Sequence, residues 1–203
     1  MAYTYYNCFN LWGKPACGNN VTTLAYAYYN CKRLSEKPIC GENVKNMAYT
    51  YYYCYNLSGS PACGNNVENM AYAYYNCNSL TGEPVCGNKV ENMAYAYYNC
   101  FNLTGTPVCG SNVTNMAYAY YYCVYCNGKN IYIYSPNVEN FYQCFTFYNI
   151  NIYVPENSIT LNTLLSRTPA GALYGKNLTY VNLNNDIGVY WRNFSNNVNI
   201  FTF

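Results

Sequence analysis

The sequence predicts a repeat solenoid built from 23-residue units, followed by a β-rich C-terminal segment. Three observations predict it. The word A-Y-A-Y-Y-N-C occupies residues 25–31, 71–77 and 94–100, with near-copies at 2–8, 48–54 and 117–123. Pro15, Pro38, Pro61, Pro84 and Pro107 keep the same step, as do Cys8, Cys31, Cys54, Cys77, Cys100 and Cys123 and the second series Cys17, Cys40, Cys63, Cys86 and Cys109. A fixed period of about 20–29 residues with apolar residues at constant phase marks stacked repeats, in which neighbours bury the face that no unit buries alone.

Six regular units fill residues 1–123, the last one partial. From the end of the fourth into the fifth (93–115), Val90, Met93, Ala94, Tyr97 and Cys100 follow the i, i+3, i+4, i+7 stripe of a short helical turn, with Asn88 or Asn92 placed to cap it. Leu103 anchors the turn that follows, and Pro107–Gly110 is the one candidate strand of the unit, short and bounded by Pro and Gly. Residues 124–165 are expected to be diverged repeats, because Val138 and Phe141 keep the spacing of Val113 and Met116. Residues 130–141 and 150–159 alternate apolar and polar more cleanly than anything before them and read as strands. The final segment, 166–203, begins with a loop and continues as two or three strands separated by Asn/Gly turns, a C-terminal cap or a docking module.

The 203 residues include 30 tyrosines, only 9% are charged, and the formal net charge is +2. No basic stripe of the kind that phosphate contacts require is present, so nucleic acid is not an expected partner. The densest charges, Lys32, Arg33, Glu36, Lys37, Glu42 and Lys45, are mixed in sign and read as a solvated face. A chain so poor in charge is weakly protected against self-association, and oligomerisation or covering by a larger assembly is expected. No apolar run reaches the length of a membrane span, and no signal peptide precedes the first repeat. Met1 holds the place of Leu24, Met47, Met70, Met93 and Met116, so the chain starts in phase with its repeat. That start implies a fragment of a longer protein or an N-terminal face covered by a partner.

Ala96, Tyr97, Cys100, Leu103 and Thr104, followed by Val113 and Met116, resemble the BspA-type (Treponema-type) leucine-rich repeat, whose 23-residue unit reads A-F-x-x-C-x-x-L-T, then I-x-I-P, then S-V-x-x-I-G. Residues 150–155, INIYVP, resemble its I-x-I-P strand. The resemblance covers about residues 1–160. Val113 comes one residue late, and GTPVCG stands in place of I-x-I-P in the regular units. What the resemblance implies is a curved leucine-rich-repeat-like solenoid used for binding, as in cell-surface adhesins, internalin-like proteins and some phage-encoded proteins, without catalysis.

The chemistry-bearing residue types fall into the repeat register. Cys123 and Cys126 have C-x-x-C spacing, yet one is the ladder cysteine and the other stands where Leu103 sits one unit earlier, so both read as core residues and not as a metal or redox pair. The two cysteine series would stack about 5 Å apart between units, a spacing that permits disulfides. An uninterrupted ladder of free, buried thiols is the simpler reading. The chain has no histidine, which removes Ser-His-Asp and Cys-His nucleophile pairs, and no Gly-rich phosphate loop. Glu68, Glu91 and Glu139 recur at equal phase near the expected helix starts, where the macrodipole would favour them. Asn20, Asn56, Asn102, Asn112, Asn177 and Asn193 open Asn-x-Ser/Thr sequons that repeat bias alone generates. No catalytic centre, metal site or cofactor is expected.

What remains is the tyrosines. Tyr97 points inward on the stripe and aligns with the buried Phe of the resembled family. Two further series, Tyr3, Tyr26, Tyr49, Tyr72, Tyr95 and Tyr118 beside Tyr6, Tyr29, Tyr52, Tyr75, Tyr98 and Tyr121, form parallel ladders on the adjoining face. They stiffen the stack by aromatic contact, or present a half-wet strip to a partner. The expectation is a non-enzymatic recognition or adhesion module that binds a protein or glycan through these twelve residues, on a bacterial surface or a phage appendage, and so extracellular, at the cell surface or on a virion. The alternative is a structural subunit that stacks through its open repeat end.

Overall fold

The computed structural model describes residues 1–126, 128, 130–145, 150–166, 178–181 and 198–203. Among them the regular elements are β1 (Asn130–Tyr132), β2 (Ile150–Val154), α1 (Ile159–Leu165), β3 (Leu178–Val181) and β4 (Val198–Thr202). The strands form one parallel sheet in the order β1-β2-β4-β3. β1 and β2 lie in the two alternating runs the sequence singles out, and burial follows the alternation: Ile131, Ile133, Ile152 and Val154 are buried, whereas Tyr132 and Tyr134 are exposed. α1 was not expected. Its start is capped by Ser158 Oγ, which accepts from the Leu161 N–H at 3.0 Å, and it buries Leu161 and Leu164. Thr160, at its first turn, ties it to the preceding turn by accepting from Val138 N–H and donating to the Ser135 carbonyl. The loop expected at the start of the tail lies almost wholly outside the described residues. So does all of the chain between β3 and β4, residues 182–197.

The repeated word is not helical. Tyr72, Tyr74 and Asn76 donate their N–H groups to the carbonyls of Ala94, Ala96 and Tyr98 in the following unit, at 2.9, 2.8 and 2.8 Å. The alternate residues Ala73, Tyr75 and Cys77 donate three residues back, to Met70, Tyr72 and Tyr74. Tyr72 (φ 57) and Asn76 (φ 59) are left-handed, each at the third position of a hydrogen-bonded turn, the type II pattern. The helical stripe misleads because two linked turns also bring a residue inward every three or four positions. With alternate N–H groups committed to the next unit, no i→i−4 ladder can close. Asn92, not Asn88, caps the word: its Oδ1 accepts from Ala94 N–H at 2.9 Å, as Asn46 and Asn69 do for Ala48 and Ala71. The helix-start role of Glu68, Glu91 and Glu139 falls with the helix. Their backbone N–H groups bond to the preceding unit at 2.8 Å, and their side chains lie at the surface.

The Pro-x-Cys-Gly stretch is likewise no strand in the regular units. Its x residue has both backbone groups engaged elsewhere. The Tyr97 hydroxyl accepts from Val85 N–H at 3.1 Å and donates to Val85 C=O at 2.7 Å, and Tyr28, Tyr51, Tyr74 and Tyr120 repeat the arrangement on Ala16, Ile39, Ala62 and Val108. With Pro lacking an N–H as well, two successive residues have no backbone N–H free for a ladder, and among the described residues the one bridge from this stretch is Cys109 with Ile133, at the end of the regular units. Parallel bridges instead link Thr23, Asn46, Asn69, Asn92, Asn115 and Asn140.

A continuous buried cluster runs from Leu24 to Ile200 and includes Tyr28, Tyr51, Tyr74, Tyr97 and Tyr120. Cys31, Cys54, Cys77, Cys100 and Cys123 lie inside it, whereas Cys17, Cys40, Cys63 and Cys86 of the second series are only partly buried against it, so the uninterrupted buried ladder expected of both series holds for the inner members of the first. Cys54, Cys77, Cys100 and Cys123 donate to the carbonyls of Tyr28, Tyr51, Tyr74 and Tyr97 in the unit before, at 2.9–3.1 Å. All thirteen cysteines are free thiols, with Cys8 exposed and Cys126 buried. Close contact between units also explains a glycine column: a Cβ on Gly87 would stand 2.9 Å from Gly64 O, and one on Gly110 2.6 Å from Gly87 O.

Candidate functional site: a tyrosine ribbon

The turn geometry sets Tyr72 and Tyr75 side by side on the surface, and the 23-residue step repeats the pair. Within the first row, rings from Tyr3 through Tyr26, Tyr49, Tyr72, Tyr95 and Tyr118 stack at 4.5–4.7 Å and within 17° of parallel. In the second, Tyr6, Tyr29, Tyr52, Tyr75, Tyr98 and Tyr121 stack at 4.5–5.2 Å. Across the rows the rings of one unit are tilted, as between Tyr95 and Tyr98 at 5.7 Å and 39°. All twelve residues singled out in the sequence thus come together in one ribbon. Tyr142, edge-on to Tyr118 at 5.1 Å, closes the first row.

The first row is held in a conformation tyrosine rarely adopts: φ lies between 55° and 58° at all six positions. Left-handed backbone costs about 1–2 kcal/mol for a residue bearing Cβ, and a stacked aromatic pair returns about 0.5–1.5 kcal/mol beyond its area. The two terms are of one size, so stacking is what makes tyrosine acceptable at this position. Asn occupies most of the second left-handed series (Asn7, Asn30, Asn76, Asn99), where it is tolerated, while Tyr53 and Tyr122 replace it in two units.

Stacking also decides what the ribbon offers. Each inner ring has a neighbour on both faces, so the half-buried side chains present edges and hydroxyls at the surface, some of the hydroxyls hydrogen-bonded along the row, as Tyr72 is with Tyr49 and Tyr95. Tyr3 and Tyr6, at the end of the rows, are 58% and 42% exposed. No word carries a charged residue. Burial, and after it the neighbouring phenols, push Tyr72 and Tyr75 up to about 12, so both are neutral hydrogen-bonding groups at physiological pH. Such a surface can donate and accept hydrogen bonds in a fixed array.

A second aromatic row escaped the sequence reading. Tyr132, Tyr153 and Phe201, on β1, β2 and β4, stack at 4.6 and 4.8 Å, with Tyr134 and Phe203 exposed beside them. The signal was there: Asn-Ile-Tyr at 130–132, Asn-Ile-Tyr at 151–153 and Asn-Ile-Phe at 199–201. It is hidden by spacings that depart from 23. Among the described residues no group of three or more potential metal ligands comes together. No family model, no curated protein and no solved structure matches the chain.

Proposed function

We propose that this chain is a leucine-rich-repeat-like solenoid that acts as a non-enzymatic recognition module, with the tyrosine ribbon as its contact surface. The observation that carries the reading is the double row of twelve stacked tyrosines, kept in phase through six units at the expense of strained backbone. Strain held at an otherwise regular surface points to use of that surface. Pre-ordered tyrosines add contact area at little entropic cost, which suits a protein or glycan on a cell surface. With the ring faces covered, the ribbon meets its partner through edges and hydroxyls. The resemblance to adhesin repeats favours a bacterial surface protein or phage appendage. The test is capture on glycan and cell-surface arrays. Tyr95→Ala combined with Tyr98→Ala abolishes capture while circular dichroism stays native. Capture at wild-type level by the folded double variant removes the ribbon as the site.

A second reading, a subunit that stacks on other copies, is favoured by a surface poor in charge, with only 9% of the residues charged. Stacking predicts concentration-dependent multimers by light scattering, and a chain monomeric over a wide concentration range contradicts it.

A further inference from the structure

The glycine column Gly18, Gly41, Gly64, Gly87 and Gly110 ends abruptly. A parallel bridge pairs Cys109 with Ile133, so the place one step beyond Gly110 falls to Tyr134. At this junction lies an open hollow of about 230 Å³, whose lining includes Tyr134, Val108, Gly110, Cys86, Asn88 and Ser111. The Tyr134 ring is 58% exposed. Unlike the inner rings of the ribbon, it does not sit in a close-packed stack: its neighbours, Tyr132 and Phe203, are 6.2 and 6.1 Å away.

We propose that this hollow is a subsite for a single neutral sugar ring, a terminal or branch residue of a glycan. Three features select that ligand class. No lining residue is charged, which disfavours phosphates, sialic acids and cationic ligands. An aromatic ring and the Val108 side chain supply an apolar wall for the C–H face of a pyranose. Asn88 and Ser111 are exposed, and among the described residues no hydrogen bond engages the side chain of either, so an amide and a hydroxyl are available to meet sugar hydroxyls. The hollow is smaller than the about 300–1,000 Å³ clefts that enclose drug-sized ligands, which limits it to one ring with the rest of the chain in solvent. Sequence alone gives no hint of it, because it exists only where the glycine column meets the first strand of the sheet.

The proposal rests on the recognition reading but is tested separately from the ribbon. The full chain is titrated with methyl glycosides of glucose, galactose and N-acetylglucosamine by saturation-transfer NMR. At least one binds saturably at millimolar concentration. Tyr134→Ala, a change at an exposed residue, weakens that binding about tenfold. Ser111→Phe, which fills the hollow, abolishes it, and the Tyr95→Ala/Tyr98→Ala variant retains it. Absence of saturable binding by all three glycosides overturns the proposal, as does wild-type affinity in folded Tyr134→Ala or Ser111→Phe. Loss of binding in the ribbon variant alone would place the sugar on the ribbon instead.

Discussion

Replacing Tyr97 by Phe separates the buried tyrosines from the surface ones in a single measurement. The ring is fully buried between Tyr74 and Tyr120, both 5.5 Å away, and phenylalanine keeps that packing. What goes is the hydroxyl that serves Val85 N–H at 3.1 Å and Val85 C=O at 2.7 Å. Two hydrogen bonds at about 1 kcal/mol each give a loss of about 2 kcal/mol, rising to about 4 kcal/mol if both backbone groups stay shut off from water. In a chain of this size about 1 kcal/mol moves the melting temperature by about 2–4 °C, so a drop of about 4–16 °C is expected. Tyr95→Phe, on the ribbon, keeps its stacking, loses a half-exposed hydroxyl whose hydrogen-bond partner is the Tyr72 phenol, and shifts the midpoint by no more than about 1 kcal/mol. The assay is urea unfolding of both variants followed by circular dichroism. Equal, small shifts for the two would refute the assignment of the Tyr97 hydroxyl as the partner of the Val85 backbone.

Three further outcomes follow from the contacts between units. Gly87→Ala places a methyl 2.9 Å from Gly64 O, where backbone cannot step aside, and lowers stability by about 1–3 kcal/mol in the same unfolding assay, whereas Gly13→Ala meets no atom within 4 Å and suffers only from its φ of 88°. An aromatic thiol reagent modifies exposed Cys8 at once in the native chain, while Cys54, Cys77, Cys100 and Cys123, buried and bonded to carbonyls, react only as it unfolds; rapid reaction at the inner positions would contradict their burial. Alkali destabilises the fold. Burial pushes Cys31 and Cys63 from 9.0 to about 12, and Tyr72 and Tyr75 from 10.0 to about 12. The folded state therefore holds protons that the unfolded state sheds first. Stability is full below about pH 9, falls as thiols and then phenols of the unfolded chain ionise, and continues to fall to about pH 12, which unfolding midpoints measured across that range check.

The 23-residue period made the registers legible: Met93, Tyr97 and Cys100 inside, Tyr95 and Tyr98 outside, Asn92 before the word. Residue type and spacing suffice for that, because every unit repeats the same environment. The local conformation was not legible. A helical stripe and a pair of type II turns bring the same residues inward, and only the hydrogen bonds from Tyr72, Tyr74 and Asn76 to the next unit decide between them. Propensity argues against tyrosine at positive φ, so the left-handed row could not be read from composition. It exists because rings one unit apart stack at 4.5–4.7 Å. The Tyr97 hydroxyl hides in the same way: in sequence it looks like a spare phenylalanine, and its purpose appears only when Val85, twelve residues earlier, is brought beside it.

The central claim is that the units stack in register, each completing its neighbour, and deletion of one whole unit tests it most directly. Removing residues 70–92 joins Asn69 to Met93 and leaves every later residue in phase. The account predicts that this shortened chain unfolds cooperatively with native circular dichroism, while removal of residues 70–80, which shifts the phase, leaves it unfolded or aggregated. Equal damage from both deletions, or native behaviour after the out-of-phase one, would contradict stacking in register.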